Sequence, residues 1–443
     1  MAARLRDPPL SATVSLRDEA VELLRELIRL DTVNPPGNET LAAELLRDYL
    51  EESGVACELY AKVPERANLV ARIPGRGGPR LALLSHTDTV LADPAEWDVD
   101  PWSGELRAGE VWGRGALDMK GQAAASAVAV ASLAREGFEP AGDLVFVAAA
   151  DEEVGDGFGL SWLCEVHPEA VRVEYSLNEG AGDRVELGGR PFYLCSTAEK
   201  MSSPFLLRVR GRSGHASMPG IADNALVKAA KLIERLGEFT AEPRVEPEVA
   251  AFMEVVTGEP APAAGEVIER ARGVHPLAAE LVEPLLGMTV APTMVSASQK
   301  RNVIPALCEL TVDCRLLPGQ GHAEAEAVLR ELLGEGDWEL EWIEGYGGTR
   351  SALGGPLWET IESWVGAAEP EAAVAPICLA GFTDSHWLRA AFGTVAYGFF
   401  PMRYMDPQLA TRLVHSADER VRVDDLELGV DFLRHAAQAL SGG

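Results

Sequence analysis

Positive charge is scarce in this sequence: 39 Lys and Arg residues stand against 69 Asp and Glu, a formal net charge of −30 over 443 residues. That balance argues against DNA or RNA as a partner, because the phosphate attraction that supplies most nucleic-acid affinity is repulsive overall here. An anionic small molecule would need a local cluster of positive charge or metal. Cysteine is sparse too. The six (Cys57, Cys164, Cys195, Cys308, Cys314 and Cys378) show neither C-x-x-C spacing nor crowding. They exclude a disulfide frame and a zinc knuckle, and read as buried thiols of a reducing cytoplasm. Long apolar runs are missing. The longest candidate, Ala123–Ala134, is rich in small residues and falls short of the roughly 18–20 residues that cross a bilayer. The stretch Met1–Pro9 lacks the continuous apolar core of a signal peptide. No membrane partner is expected.

What is present is the composition of a globular protein, 47% hydrophobic and 24% charged, long enough for one to three domains. The organising stretch is Leu81-Ala-Leu-Leu-Ser-His-Thr-Asp-Thr-Val90. Its apolar run fits a strand buried on both faces, as in a parallel sheet covered by helices. Open α/β sheets place their sites at the carboxyl ends of such strands. His86 is therefore a candidate metal ligand, with Asp88 holding its imidazole. Leu144–Ala150 repeats the pattern and ends in Asp151-Glu152-Glu153. Val173–Leu177 repeats it again and ends in Asn178-Glu179-Gly180.

Around these strands, Leu16–Leu30 has the i, i+3, i+4 apolar spacing of an amphipathic helix, and Asn38–Ser53 reads as a second, with Gly54 as its cap. Asn68–Ile73 and Arg80–Leu84 read as neighbouring strands. The Val111–Gly121 stretch, Val-Trp-Gly-Arg-Gly-Ala-Leu-Asp-Met-Lys-Gly, is neither a dinucleotide fingerprint nor a Walker loop, for want of the third glycine and of the Gly-Lys-Ser/Thr ending. A helix whose interior is Ala and Ser follows it from about Gly121 to Glu136, which predicts close packing on a sheet.

From about Ser202 the texture changes. A β-α-β-β-α-β order over Phe205–Glu344 describes a ferredoxin-like two-layer α+β domain inserted into the first. The expected fold class is thus α/β, a mixed and largely parallel sheet with helices on both faces, plus this insertion. The expected boundaries are 1–201 and 347–443 for the first domain and 202–346 for the second. The Pro- and Glu-rich stretch Glu242–Pro284 carries no assignment.

Together His86, Asp88, Asp118, Glu152, Glu153, Glu179 and His415 make a mixed N/O donor set suited to zinc or a similar first-row metal. With one carboxylate bridging, the set suits two metals that activate a shared water. The order S-H-T-D, G-R-G-A-L-D-M-K-G, D-E-E, N-E-G, G-H-A-S-M-P, N-V-I-P, D-C-R-L-L-P-G, H-S-A-D-E resembles the M20 family of dinuclear zinc metallohydrolases. That family contains carboxypeptidases, aminoacylases and acetylornithine and succinyl-diaminopimelate deacylases. The resemblance runs from about Leu16 to Leu440.

The resemblance implies that His86 and Glu179 hold one metal, that Glu153 and His415 hold the other, and that Asp118 bridges them. Both ions would be Zn2+, with Co2+ or Mn2+ as alternatives. Asp88 would accept the second ring N–H of His86, and Glu152 would be the general base. A cis peptide bond is implied at Asp118–Met119. The insertion would be a lid and a homodimerisation domain, from which His215 reaches the other copy's site and steadies an oxyanion. Asn302 and Arg315 would grip a substrate carboxylate, and Thr383 would touch substrate. Phe382 departs from the usual Gly-Gly-Thr-Asp loop, so the pocket there has its own shape. His386 reads as a wall or structural residue; His167, His275, His322 and His435 read as surface histidines without acidic partners.

The function implied is a cytoplasmic hydrolase of an amide or peptide bond next to a free carboxylate, carboxypeptidase- or dipeptidase-like. An N-acyl-amino-acid deacylase is the alternative within the family. A catalytically silent M20-like binding protein is the alternative of another class.

Overall fold

The computed structural model describes residues 15–155 and 157–441, so the Met1–Pro9 stretch lies outside the described residues. The chain forms two compact units. One comprises residues up to Val185, Gly354–Ala372 and the chain from Ala391 on; the other comprises Glu186–Leu353 and Ala373–Ala390.

Six strands of the first unit share a sheet: β1 (Ala56–Ala61), β2 (Ala67–Ile73), β3 (Leu81–His86), β4 (Leu144–Ala149), β5 (Tyr175–Asn178) and β6 (Val395–Gly398). Their spatial order is β1-β2-β4-β3-β5-β6. The β1–β2 and β2–β4 pairs are antiparallel, and β4–β3, β3–β5 and β5–β6 are parallel. β3 and β4 are buried at every residue, as strands covered on both faces must be. β2 and β3 are therefore not neighbours, contrary to the sequence reading. The connection from β3 to β4 is a crossover through α3 (below), which lays β4 beside β3. The short link between β2 and β3 then passes under the start of β4, where Arg76 N and Gly78 N both donate to Ala141 O.

Five helices matter for the site: α1 (Leu16–Ile28), α2 (Thr40–Glu52), α3 (Lys120–Arg135), α4 (Pro356–Ala368) and α5 (Val423–Ser441). α3 packs on β3, β4, α1 and α5. It is buried from Lys120 to Leu133, all round. Only small side chains let a helix lie that close to its neighbours, which is why its interior is almost all Ala, Ser and Val. Gly54, at φ +82°, ends the α2 region as expected.

The second unit holds the insertion. Strands Phe205–Arg210, Thr289–Ser296, Leu307–Leu316 and Trp338–Trp342 form a sheet in the order 289–296, 307–316, 205–210, 338–342. Every adjacent pair is antiparallel, the arrangement that a ferredoxin-like β-α-β-β-α-β chain produces. Helices Ala225–Gly237 and His322–Leu333 supply Ala229, Leu232, Leu236, Leu329 and Leu333 to a core with Phe205, Leu207 and Leu310. The stretch left unassigned in the sequence contains three helices, Pro247–Thr257, Val267–Val274 and Pro276–Val282.

The same unit contains parallel strands Arg190–Glu199 and Ala373–Leu379, neither of which the sequence pattern announced. Lys200 pins the segment before Thr289. Its ammonium donates to Pro284 O (2.8 Å), Gly287 O (2.8 Å) and Thr289 Oγ1 (3.2 Å), and burial pushes its pKa down to about 8.

Ala129 sits mid-α3 with no exposed surface. Ala129→Leu is expected to lower stability by about 1–3 kcal/mol through overpacking, read as a shift of the chemical-denaturation midpoint.

Candidate metal centre

Three parallel strand ends converge because their registers match. Leu81 lies opposite Leu144 and His86 opposite Ala149, while Leu83 lies opposite Leu177. The polar residues that follow each apolar run therefore emerge along one edge: His86 and Asp88 from β3, Glu152 and Glu153 after β4, and Glu179 after β5. Two loops complete the group. Asp118 arrives on the turn before α3, and its bond to Met119 is cis, as the resemblance implied. His415 follows the helix Pro407–Leu413.

The geometry centres on Asp118. Its Oδ1 lies 3.0 Å from His86 Nε2, and its Oδ2 lies 3.1 Å from His415 Nε2. The two oxygens of one carboxylate thus face two different imidazoles. Glu153 Oε2 is 3.1 Å from His415 Nε2, and Glu179 Oε1 is 3.7 Å from His86 Nε2. Glu152 stands further off, its Oε2 4.0 Å from the same ring nitrogen. Donor triads His86–Asp118–Glu153 and His86–Glu152–Glu179 each fall within 4.8 Å. Metal–ligand bonds of about 2.0–2.2 Å at tetrahedral angles put ligand atoms about 3.3–3.6 Å apart, so these separations suit divalent ions. Glu153 Oε1 is buried without a hydrogen-bond partner, an acceptor that a cation would satisfy.

The electrostatics agree. Hydrogen bonds to Asp118 and Glu153 push the His415 pKa up to about 10. His86 is raised despite full burial, by Glu179, Asp118, Asp88 and Glu152. Burial opposes ionisation of Asp118, but hydrogen bonds from His415 and His86 hold its carboxyl well below the usual range. A field that draws protons onto two imidazoles also draws divalent cations.

Asp88 is hydrogen-bonded on several sides. His86 Nδ1 lies 3.1 Å from the Asp88 carbonyl and 3.4 Å from its carboxylate. The carboxylate also accepts from Glu152 N (3.2 Å), Glu153 N (3.1 Å) and Asn34 Nδ2 (2.9 Å). Glu419, fully buried, accepts from Arg114 Nη1 (2.6 Å), Gly115 N (3.0 Å), Leu117 N (2.7 Å) and Asp118 N (3.0 Å). It ties the Asp118 turn to the His415 loop. The sequence reading passed over Asn34, Arg114 and Glu419. Arg114 and Glu419 stand inside the G-R-G-A-L-D-M-K-G and H-S-A-D-E motifs, but nothing local marks the two as partners.

The remaining candidates lie in the second unit. His215 pairs with Val303 in a short ladder, and Ala216 N donates to Asn302 O, so His215 and Asn302 sit on adjoining backbone. His215 is exposed, its Nδ1 2.8 Å from Ser217 Oγ. Arg315 forks onto Asp313 (3.1 and 3.0 Å) and is half-buried. Thr383 is buried, with its amide and hydroxyl both donating to Glu199 Oε2 at 3.1 Å. His386 is half-buried and held low, about 4, by burial and Arg389.

Of the histidines expected on the surface, only His275 is exposed and the other three are half-buried. His167 packs between Tyr60 and Trp162, His322 stacks on Trp342, and His435 Nε2 lies 3.2 Å from Ser363 Oγ.

Sequence and structure comparisons point one way. Succinyl-diaminopimelate desuccinylase from Rhodospirillum centenum is 33% identical over 258 residues, 55% of this chain and 64% of that protein, so the match spans under two thirds of that relative. Aminoacylase-1 from Sus scrofa is 29% identical over 435 residues, 95% of each chain. The crystal structure of an M20 family metallo-carboxypeptidase from Sulfolobus solfataricus shares the fold, with a TM-score of 0.73 and 18% identity over 96% of this chain and 99% of that one. The profile of peptidase family M20/M25/M40 matches residues 82–439, most of the chain, and the protein belongs to that family.

Proposed function

We propose that the protein is a metal-dependent hydrolase that cleaves an amide or peptide bond next to a free carboxylate, in the manner of a carboxypeptidase or dipeptidase. The observation that carries this reading is Asp118, with one oxygen toward His86 and the other toward His415. His86 and Glu179 hold one ion, Glu153 and His415 the other, and Asp118 bridges. The N/O donor set favours Zn2+. Bound there, two such ions supply Lewis-acid polarisation of a carbonyl and a lowered water pKa. Glu152, beside the donors without being the nearest of them, takes a proton from the attacking water and returns it to the leaving nitrogen. Asp88 keeps the His86 ring aimed through Nδ1.

His215 steadies the developing oxyanion from a second copy of the chain, and Asn302, Arg315 and Thr383 receive the substrate. A homodimer through the insertion is supported by strand Thr289–Ser296. Among the described residues it pairs on one side only, with Leu307–Leu316, and it exposes Met294 and Val295. Such an edge invites a partner strand. A reducing cytoplasm is the proposed location, supported by six free thiols, four of them buried and Cys57 and Cys164 half-buried. No helix among the described residues is long and apolar enough to cross a membrane. The second reading, an N-acyl-amino-acid deacylase, is favoured by the names of the desuccinylase and aminoacylase relatives.

Release of free amine from dipeptides, N-acetyl and N-succinyl amino acids by the zinc-loaded protein tests the reading and separates its two forms; release from none overturns it. Glu152→Gln is expected to keep both metals, by elemental analysis, while turnover falls at least ~10²–10⁴-fold; loss of zinc makes Glu152 a ligand instead. Arg315→Met is expected to harm free-acid substrates at least about tenfold more than their amides, and equal losses sink its assigned contact. Mixing His215→Ala with Asp118→Ala protomers is expected to restore part of the activity. Heterodimers that stay inactive contradict a role for His215 across the dimer.

A further inference from the structure

Asp151, two residues past β4, has φ +66°, a left-handed conformation that few non-glycine residues adopt. It is held there by every polar group it owns. Its N–H donates to Glu39 Oε1 (3.2 Å), and its carbonyl accepts from Gly155 N (3.0 Å). Its Oδ1 accepts from Arg66 Nη2 (3.0 Å) and Asn34 Nδ2 (3.1 Å), and its Oδ2 from Phe158 N (2.9 Å). Arg66 in turn forks onto Glu39 at 2.6 and 2.7 Å. The Asn34 amide also donates to Asp88 Oδ2, the carboxylate that accepts the next two backbone N–H groups, those of Glu152 and Glu153.

We propose that Arg66 and Asn34 are positioning residues: through Asp151 and Asp88 they hold the turn that aims Glu152 and Glu153 into the metal centre. The inference rests on the reading of Glu152 as base and Glu153 as ligand. Glu39, Asp151 and Asp88 are three carboxylates buried to within 1% of completely. Arg66 is the cation set among the first two, itself only 6% exposed. Without it, two acids are left buried without their partner, and the turn loses the charge that holds it in place. Lysine is no substitute, because a point charge cannot fork Glu39 and reach Asp151 together. The chain makes room for the guanidinium at Gly37, φ +80°, where a Cβ would fall 2.2 Å from Arg66 Nε.

The test uses the zinc-loaded full chain carrying Arg66→Lys, Arg66→Ala or Asn34→Ala. It reads kcat and KM on an amide substrate that the wild type cleaves, zinc affinity by competition with a chromogenic chelator, and the melting temperature. Arg66→Lys is expected to lower kcat about 10–100-fold with KM within about threefold, and to weaken zinc at one of two sites by at least about tenfold. Added methylguanidinium is expected to return part of both to Arg66→Ala. If Arg66→Ala does not fold, Asn34→Ala removes the other side-chain donor to Asp151 Oδ1, together with its bond to Asp88, and is expected to show the same split. Variants that melt earlier yet keep kcat and zinc affinity within about twofold overturn the proposal, leaving the network a fold-stabilising one. A wild type that binds zinc but cleaves nothing defeats the hydrolase reading alone. The zinc measurement then still decides whether Arg66 holds Glu153.

Discussion

Asp88, Asp118, Glu152, Glu153 and Glu179 are brought together at the ends of three parallel strands and one turn, and their mutual repulsion is the constraint to which the surrounding elements answer. Most are held locally. Asp118 is shared by two imidazoles, Asp88 is occupied by an amide side chain and two backbone N–H groups, and the turn bearing Glu152 and Glu153 is tethered through Asp151. The compensating cation Arg66 comes from before β2, while Glu419, after His415 and neutralised by Arg114, gathers the backbone amides of the Asp118 turn. A donor set this dense in one sign of charge has its natural counter-charge in divalent cations.

The sequence made His86 and the strand-end acids legible because strand ends are legible. An apolar run that stops at His86, Asp151 or Asn178 predicts both a buried strand and a polar residue at its carboxyl edge. Strand order was less accessible. Placing Leu144–Ala149 between β2 and β3 depends on the path of the α3 crossover, which no local pattern records. Arg66 was invisible for another reason: an isolated arginine in a turn looks the same whether it faces water or two buried acids.

The second unit shows how punctuation misleads. The Pro- and Glu-rich 242–284 stretch gave no assignment, yet Pro247 and Pro276 each stand at the first position of a helix, where the missing N–H costs nothing. Pro376 lies inside the strand Ala373–Leu379. Among the described residues of its unit that strand pairs on one side only, with Arg190–Glu199, and an edge tolerates the lost donor. The β-α-β-β-α-β order survived because alternation in Phe205–Arg210 and Leu307–Leu316 is backed by real one-sided burial.

Glu419 joins Arg114 across 305 residues of chain, and this spacing bears on how the protein is made. As the polypeptide leaves the ribosome, β3 and β4 emerge early with their acids, while Arg114 waits, and the Asp118 turn has no carboxylate to gather its amides. Only when the last few dozen residues are free does Glu419 close that turn and bring His415 to it. The full donor set is thus complete only late in synthesis, and a chain stalled before residue 415 carries the acids without their second imidazole.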